Sequence, residues 1–175
     1  MNILSSLQPV LDDVQHRFGK QIEEIESSNP DEIYLRAKME SVAGLCAYFY
    51  RKWEGRLVSV FAEDERQRAG TFFIHYIFAL DPAHGFFIVR VPIPPERPEF
   101  ASLTNAVHGV NWQEREIQDW FGLELIGHPN PNRCALHDDW PAVFPLRKDF
   151  DLQTKLAPFQ GERHKFRTVE GEGVF

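Results

Sequence analysis

Thr71-Phe-Phe-Ile-His-Tyr-Ile-Phe-Ala-Leu80 is the densest run of aromatic and β-branched residues in the chain. Arg56-Leu-Val-Ser-Val-Phe-Ala62 precedes it and Phe86-Phe-Ile-Val-Arg-Val-Pro-Ile93 follows it. Runs of this composition read as strands. The links between them, residues 63–70 and 81–85, are short and polar. Parallel neighbours need a crossover of a dozen or more residues, so strands joined this closely are expected to form an antiparallel meander.

Working outward toward the N-terminus, Ile33, Leu35 and Ala37 alternate with Glu32, Tyr34 and Arg36, the period of a half-buried strand. Two stretches switch to helical spacing. Leu7, Val10, Leu11, Val14 and Phe18 place a helix over residues 7–18. Val42, Ala43, Cys46, Ala47, Phe49 and Tyr50 place a second over 39–53, ending in Arg51 and Lys52 where the helix dipole favours cations. A sheet needs a cover and these helices are the available one, so the expected fold is a two-layer α+β domain with a mainly antiparallel sheet.

Toward the C-terminus, Pro92, Pro94, Pro95 and Pro98 stop the sheet, because proline cannot donate to a strand ladder. A helical segment is expected near 102–108 and another over 112–121. Asn111 is read as the cap of the latter, with Glu114 reaching back to it. Gly122 stands where a left-handed residue ends the helix. An extended, proline-punctuated stretch then runs to Phe150, and 151–175 is a polar, glycine-containing tail or linker. Residues 1–150 are therefore expected to form one domain.

Composition removes several function classes. The 175 residues carry a formal net charge of −7, which offers no basic excess to displace counterions from a nucleic acid. No stretch reaches the roughly 18–20 apolar residues that span a bilayer. The first residues lack the features of a signal peptide. The expectation is a cytoplasmic protein that meets the membrane only through a partner. Cys46 and Cys134 form no CxxC, so a cluster held by this chain's thiolates alone is not expected. Phosphate-binding glycine loops, a GxSxG elbow and HExxH are all missing.

Polar residues concentrate between Asn111 and Asp149. Arg115 and Asp119 share one helix face with Glu116 beside them, and Ile117 lies almost opposite. The plain expectation is a solvated face with one salt bridge. His128, His137, Asp138 and Asp139, with Arg133 among them, are dense enough to suggest a divalent metal, which would make the chain a small metal-dependent enzyme. No pair of them sits at helical i, i+4 spacing on a segment that reads as helix. Pro145-Leu-Arg-Lys-Asp149, between Phe144 and Phe150, reads either as a basic turn pairing with Asp149 or as an anchor. In the anchor reading an arginine forks onto a partner carboxylate and the rings fill pockets. A free-standing binding module is a third reading.

Glu114-Arg-Glu-Ile-Gln-Asp-Trp-Phe-Gly122 resembles the EREXXDXXG element of the 30 kDa subunit family of respiratory complex I. Gly127-His-Pro, Arg133, Asp139-Trp140 and Pro145-Leu-Arg-Lys-Asp149 follow in that family's order. Asp138-Asp-Trp-Pro141 and Asp64-Glu65-Arg66 after Val60-Phe61 lean to the N-terminal region of the formate hydrogenlyase large subunit, a group 4 [NiFe] hydrogenase. Val169-Glu-Gly-Glu-Gly-Val-Phe175 resembles that protein's junction with its metal-bearing portion. The resemblance implies a non-catalytic subunit without a cofactor of its own, in either setting. It implies a catalytic large subunit (49 kDa-like or [NiFe]) and iron–sulfur subunits as partners, with the assembly peripheral to the inner membrane. The chain would then be a stand-alone subunit or the first piece of a longer polypeptide. Carried over, Glu114, Arg115, Glu116, Asp119, Gly122, His128, Pro129, Arg133, Trp140, Leu146, Arg147, Lys148 and Asp149 are expected to dock a partner or fix loops.

Overall fold

The computed structural model describes residues 3–137, 140–151 and 153. Its central strand is β4 (Thr71–Leu80). Phe72, Ile74, Tyr76, Phe78 and Leu80, one parity of the pleat, enter the main core. On either side run β3 (Arg56–Glu65) and β5 (Gly85–Ile93), both antiparallel to β4. The β3–β4 link contains one short helical turn, α3 (Arg66–Ala69), ended by Gly70 at φ 73°. The meander read from the three apolar runs is present, with β3 three residues longer than expected.

Strand β2 (Glu32–Ala37) pairs parallel with β5. It can do so because helix α2 (Val42–Lys52) carries the chain from β2 across the sheet to β3 at the far edge. Strand β1 (Ile22–Glu26) adds an antiparallel edge, giving the order β1-β2-β5-β4-β3. Sequence periodicity does not reveal β1, because Ile-Glu-Glu-Ile-Glu does not alternate and its register slips between Ile22 and Glu24. Helix α1 (Gln8–Phe18) contributes Val10, Leu11 and Val14 to the core, and α2 contributes Val42, Leu45, Cys46 and Phe49. The Phe49 ring lies 5.8 Å from Phe78 and 4.9 Å from Phe87. The expected two-layer α+β arrangement is therefore found.

Beyond the sheet two expectations change. Residues 102–108 do not form a helix but turns, followed by a 3-10 turn at His108–Val110. The physical reason is that the Leu103 N–H and the Ser102 and Thr104 hydroxyls all bond the Glu114 carboxylate, which competes with helical bonding. Two three-residue strands, β6 (Glu99–Ala101) and β7 (Glu124–Ile126), pair in parallel around helix α4 (Asn111–Phe121). Strands that short carry no readable period. Ile117 and Phe121 of α4 join the main core. No helix among the described residues is long and apolar enough to cross a membrane.

Candidate functional site

Helix α4 positions most of the polar signature. Glu114 is fully buried. Its carboxylate accepts from Leu103 N at 2.6 Å, Ser102 Oγ at 2.6 Å and Thr104 Oγ1 at 2.8 Å. Burial pushes its pKa up, against the pull of those three donors and of His128. The expected capping box is absent. Asn111 already has helical angles (φ −46°, ψ −52°), and Glu114 closes the preceding loop instead of its own helix.

Arg115 and Asp119 are also buried, and no ion pair joins them. The solvated salt-bridged face expected from spacing is thus replaced by two backbone clamps. Arg115 Nε donates to the Asn132 carbonyl at 2.7 Å and a second guanidinium nitrogen donates to the Arg133 carbonyl at 3.0 Å. One Asp119 oxygen accepts the N–H groups of Cys134, Ala135 and Leu136 at 3.0, 2.8 and 3.2 Å. Donor and acceptor side chains one turn apart therefore grip consecutive carbonyls and amides of residues 132–136. A loop with no ladder of its own must satisfy its backbone this way or with water. Glu116 points away and is exposed.

The end of α4 anchors the strap formed by residues 140–151. Gly122 takes the left-handed conformation (φ 62°), and a Cβ there would collide with the Phe144 ring. The helix's last carbonyls, which lack intrahelical partners, are met from the strap. Leu146 N donates to Trp120 O at 3.2 Å, while the Arg147 guanidinium donates to Phe121 O at 2.6 Å and Gly122 O at 3.3 Å. Arg147 also lies over the rings of Phe144 and Phe72, 4.4 and 5.3 Å from their centroids. The fork expected for a partner carboxylate is therefore closed on the chain's own backbone.

The rest of the strap lands on the β3–α3 corner. Asp64 is buried on the parity of Val60 and Ala62 and binds Arg66 at 2.7 Å. Hydrogen bonds from Arg66, and the amides of Lys148 and Arg66, hold its carboxyl well below the usual range despite burial. Arg66 binds Asp149 at 2.8 Å, and Lys148 Nζ binds Glu65 at 3.1 Å. Asp149 thus pairs with Arg66 of α3, not with its basic neighbours. This receiving corner was not predicted as a site. The available signal was Asp64 itself, an acid on the core-facing parity of a strand, which must find a cation.

Upstream, His128 is buried. Its Nδ1 accepts from Asn130 N at 3.0 Å. Arg133 donates to the Trp140 carbonyl at 3.0 Å, and Trp140 Nε1 donates to Val143 O at 2.9 Å. Trp140, Phe144 and Phe150 are all half-buried within the chain. Phe159 lies outside the described residues. So do Asp138 and Asp139 of the candidate metal set, and among the described residues no three His, Cys, Asp or Glu side chains converge for a metal. Cys46 is buried and Cys134 half-buried, both as free thiols. The thirteen signature positions divide accordingly. Glu114, Arg115, Asp119 and His128 are buried, Gly122, Arg133, Trp140 and Arg147 are half-buried, and Glu116, Pro129, Leu146, Lys148 and Asp149 are exposed.

Residues 35–156 match the family model described as the 30 kDa subunit of respiratory-chain NADH dehydrogenase. Formate hydrogenlyase subunit 5 of Escherichia coli strain K12 is 34% identical over 131 residues, which is 73% of this chain and 23% of that protein. Hydrogenase-4 component G of the same organism is 30% identical over 154 residues, 85% of this chain and 28% of that protein. The chain thus spans about a quarter of the length of these relatives. Two solved structures share the fold. A trypsin-resistant fragment of Nqo5 gives a TM-score of 0.60 at 23% identity, covering 71% of this chain and 98% of the fragment. A chain of the membrane-bound sulfane sulfur reductase, an archaeal respiratory membrane complex, gives 0.71 at 15% identity, covering 83% and 86%.

Proposed function

Because the chain belongs to the 30 kDa subunit family of respiratory-chain NADH dehydrogenase, we propose that it serves as a non-catalytic structural subunit of a membrane-associated oxidoreductase complex. In this reading it docks onto a catalytic large subunit of the NADH:quinone oxidoreductase or energy-converting [NiFe] hydrogenase type. The iron–sulfur clusters, and nickel and iron where present, belong to those partners. This chain holds none of its own. The assembly sits at the cytoplasmic side of the membrane and reaches it through other subunits.

One observation carries the reading. The signature side chains with the strongest chemistry spend their hydrogen bonds on this chain's own backbone. Arg115, Asp119 and Arg147 together hold seven carbonyl or amide groups. Groups committed in this way shape a surface: two nitrogens of each guanidinium and one Asp119 oxygen are spent on the chain's own backbone. Their effect is to pin a strap that leaves Leu146 54% exposed beside the charged Lys148 and Asp149, while Trp112 at the start of α4 is 64% exposed. Side chains of that kind, held on a fixed backbone, are the anchors that protein interfaces favour.

The test uses the outward set. Glu116→Lys combined with Leu146→Asp is expected to leave the melting temperature of the chain unchanged and to cut the large subunit recovered with it roughly tenfold. Undiminished recovery sinks the assignment of these residues. A tightly held prosthetic group, or turnover by the pure chain, sinks the subunit reading itself.

A further inference from the structure

Helices α1 and α2 share the main core with one parity of the sheet. The other parity faces away. Phe73, Ala79 and Ile88 on that side are buried yet stand outside the main core cluster. Around them Val58 and Phe61 are 43% and 42% exposed. Tyr34, Val58, Ile77, Phe86 and Ile88, with Glu32 at one end, line an open groove of about 240 Å³. An apolar sheet face of this extent is one that soluble proteins normally cover.

The centre of the face carries charge without a counterpart. Arg90 stands directly across from His75 on the neighbouring strand. Its guanidinium carbon lies 3.7 Å from the Phe73 ring centroid, and its Nε is buried with no hydrogen-bond partner. Among the described residues Arg90 forms no ion pair. His75 is only 7% exposed and stacks on Phe61 at 4.6 Å and 6°. Its Nε2 also lacks a hydrogen bond. Glu63 comes within 3.3 Å of that nitrogen but not in hydrogen-bonding geometry, and it is 40% exposed at the rim. Two buried nitrogens, the Arg90 Nε donor and His75 Nε2, are therefore left without a hydrogen-bond partner on neighbouring strands of this face.

We propose that this face of the sheet is a docking surface for a protein partner that brings apolar side chains to the groove and a carboxylate to Arg90 and His75. Arg90 follows the groove residue Ile88 by two positions on β5 and so lies on the same face. A protein that covers both the groove and Arg90 strips water from that guanidinium, which opposes binding if it is buried without a counter-charge. The occupant must therefore supply an acid, and arginine's fork suits a carboxylate. A second copy of this chain is a poor occupant, because a two-fold pairing of the face sets unpaired Arg90 toward its own image. The inference rests on the subunit reading above and specifies a second contact surface, separate from the strap.

The test is made in the assembled complex, recovered through a tag on the full chain. A photoreactive phenylalanine analogue replaces Phe61, and Arg90→Gln and Val58→Asp are compared with wild type. The probe is expected to cross-link to a subunit of the complex, within a few residues of an Asp or Glu. Arg90→Gln is expected to lower the partner retained in competition with wild type roughly tenfold, with the chain's melting temperature unchanged. Val58→Asp sits at an exposed position that the fold does not need and places a second acid beside the groove. It is expected to weaken retention in the same direction and keeps the test open if Arg90→Gln unfolds. If the partners still assemble while the probe labels nothing, or labels only copies of this chain, the face is not an interface and the subunit reading stands. Full retention by both variants overturns the proposal equally. If wild type recovers no partner at all, the subunit reading falls and this inference falls with it.

Discussion

The residues of the five-stranded sheet with α1 and α2, and those of α4 with the strap, are held by different forces. The first region is bound by apolar packing. Phe49, Phe78 and Phe87 are all fully buried and in ring contact. The second region is bound by side chains that act as backbone partners, with Glu114, Arg115, Asp119 and Arg147 satisfying loops that have almost no ladder of their own. Burial of apolar area is non-directional and tolerates small shifts. Hydrogen bonds to consecutive amides do not, since their geometry falls off steeply. The contrast suggests a division of labour, in which the sheet supplies stability and the pinned half supplies a fixed shape for recognition.

The sharpest way to break that division is to damage each half separately. Phe49→Ala removes a ring from the centre of the apolar half and is expected to cost about 3–5 kcal/mol. Thermal melting of the whole chain reads it, and every element should report the same loss. Asp119→Ala leaves three amides without their acceptor at a half-buried loop, where water replaces it in part. The expected cost is about 1–3 kcal/mol, felt locally. Amide hydrogen exchange at Cys134, Ala135 and Leu136 should quicken while the β4 amides keep their protection. If Asp119→Ala instead lowers the melting temperature as far as Phe49→Ala does, the two halves are one cooperative unit and the contrast fails.

The same contrast explains what could be read from the residues alone. The meander follows from composition, as in the aromatic and β-branched run Thr71–Leu80, and the early helices from a period of 3.6, as at Leu7 to Phe18, which together give the two-layer arrangement. Strands β1, β6 and β7 were missed because five or three residues with charges at irregular places carry no period. For the site, spacing placed Arg115 and Asp119 on one face but could not say that the face is buried. That depends on residues 132–136, whose position is set by the very bonds in question. The family resemblance located the signature. Which members are buried is set by how residues 132–136 and 144–149 pack back onto α4.

The smallest effect concerns the corner where the two halves meet. Asp64, on β3, holds Arg66 and the amide of Lys148 in the strap. Chiefly through its bonds with Arg66, its carboxyl lies well below the usual range in the folded chain. A carboxylate with a depressed folded pKa contributes stability that is complete above the unfolded value, near 4, and drains away as pH falls below it. Wild type is therefore expected to exceed Asp64→Asn by about 1 kcal/mol at neutral pH, a modest figure because Arg66 is a quarter exposed and screened by solvent. The gap should narrow steadily below about pH 4. His75, pushed down to about 4 by burial and by Arg90, destabilises both proteins alike as pH falls from its ordinary range near 6.5, so the difference between the two removes it. Chemical denaturation of both proteins between pH 7 and 2 makes the measurement. A gap that stays constant to pH 2 means the Asp64 charge does not hold the strap, and the two halves are then joined by packing around Phe72 and Arg147 instead.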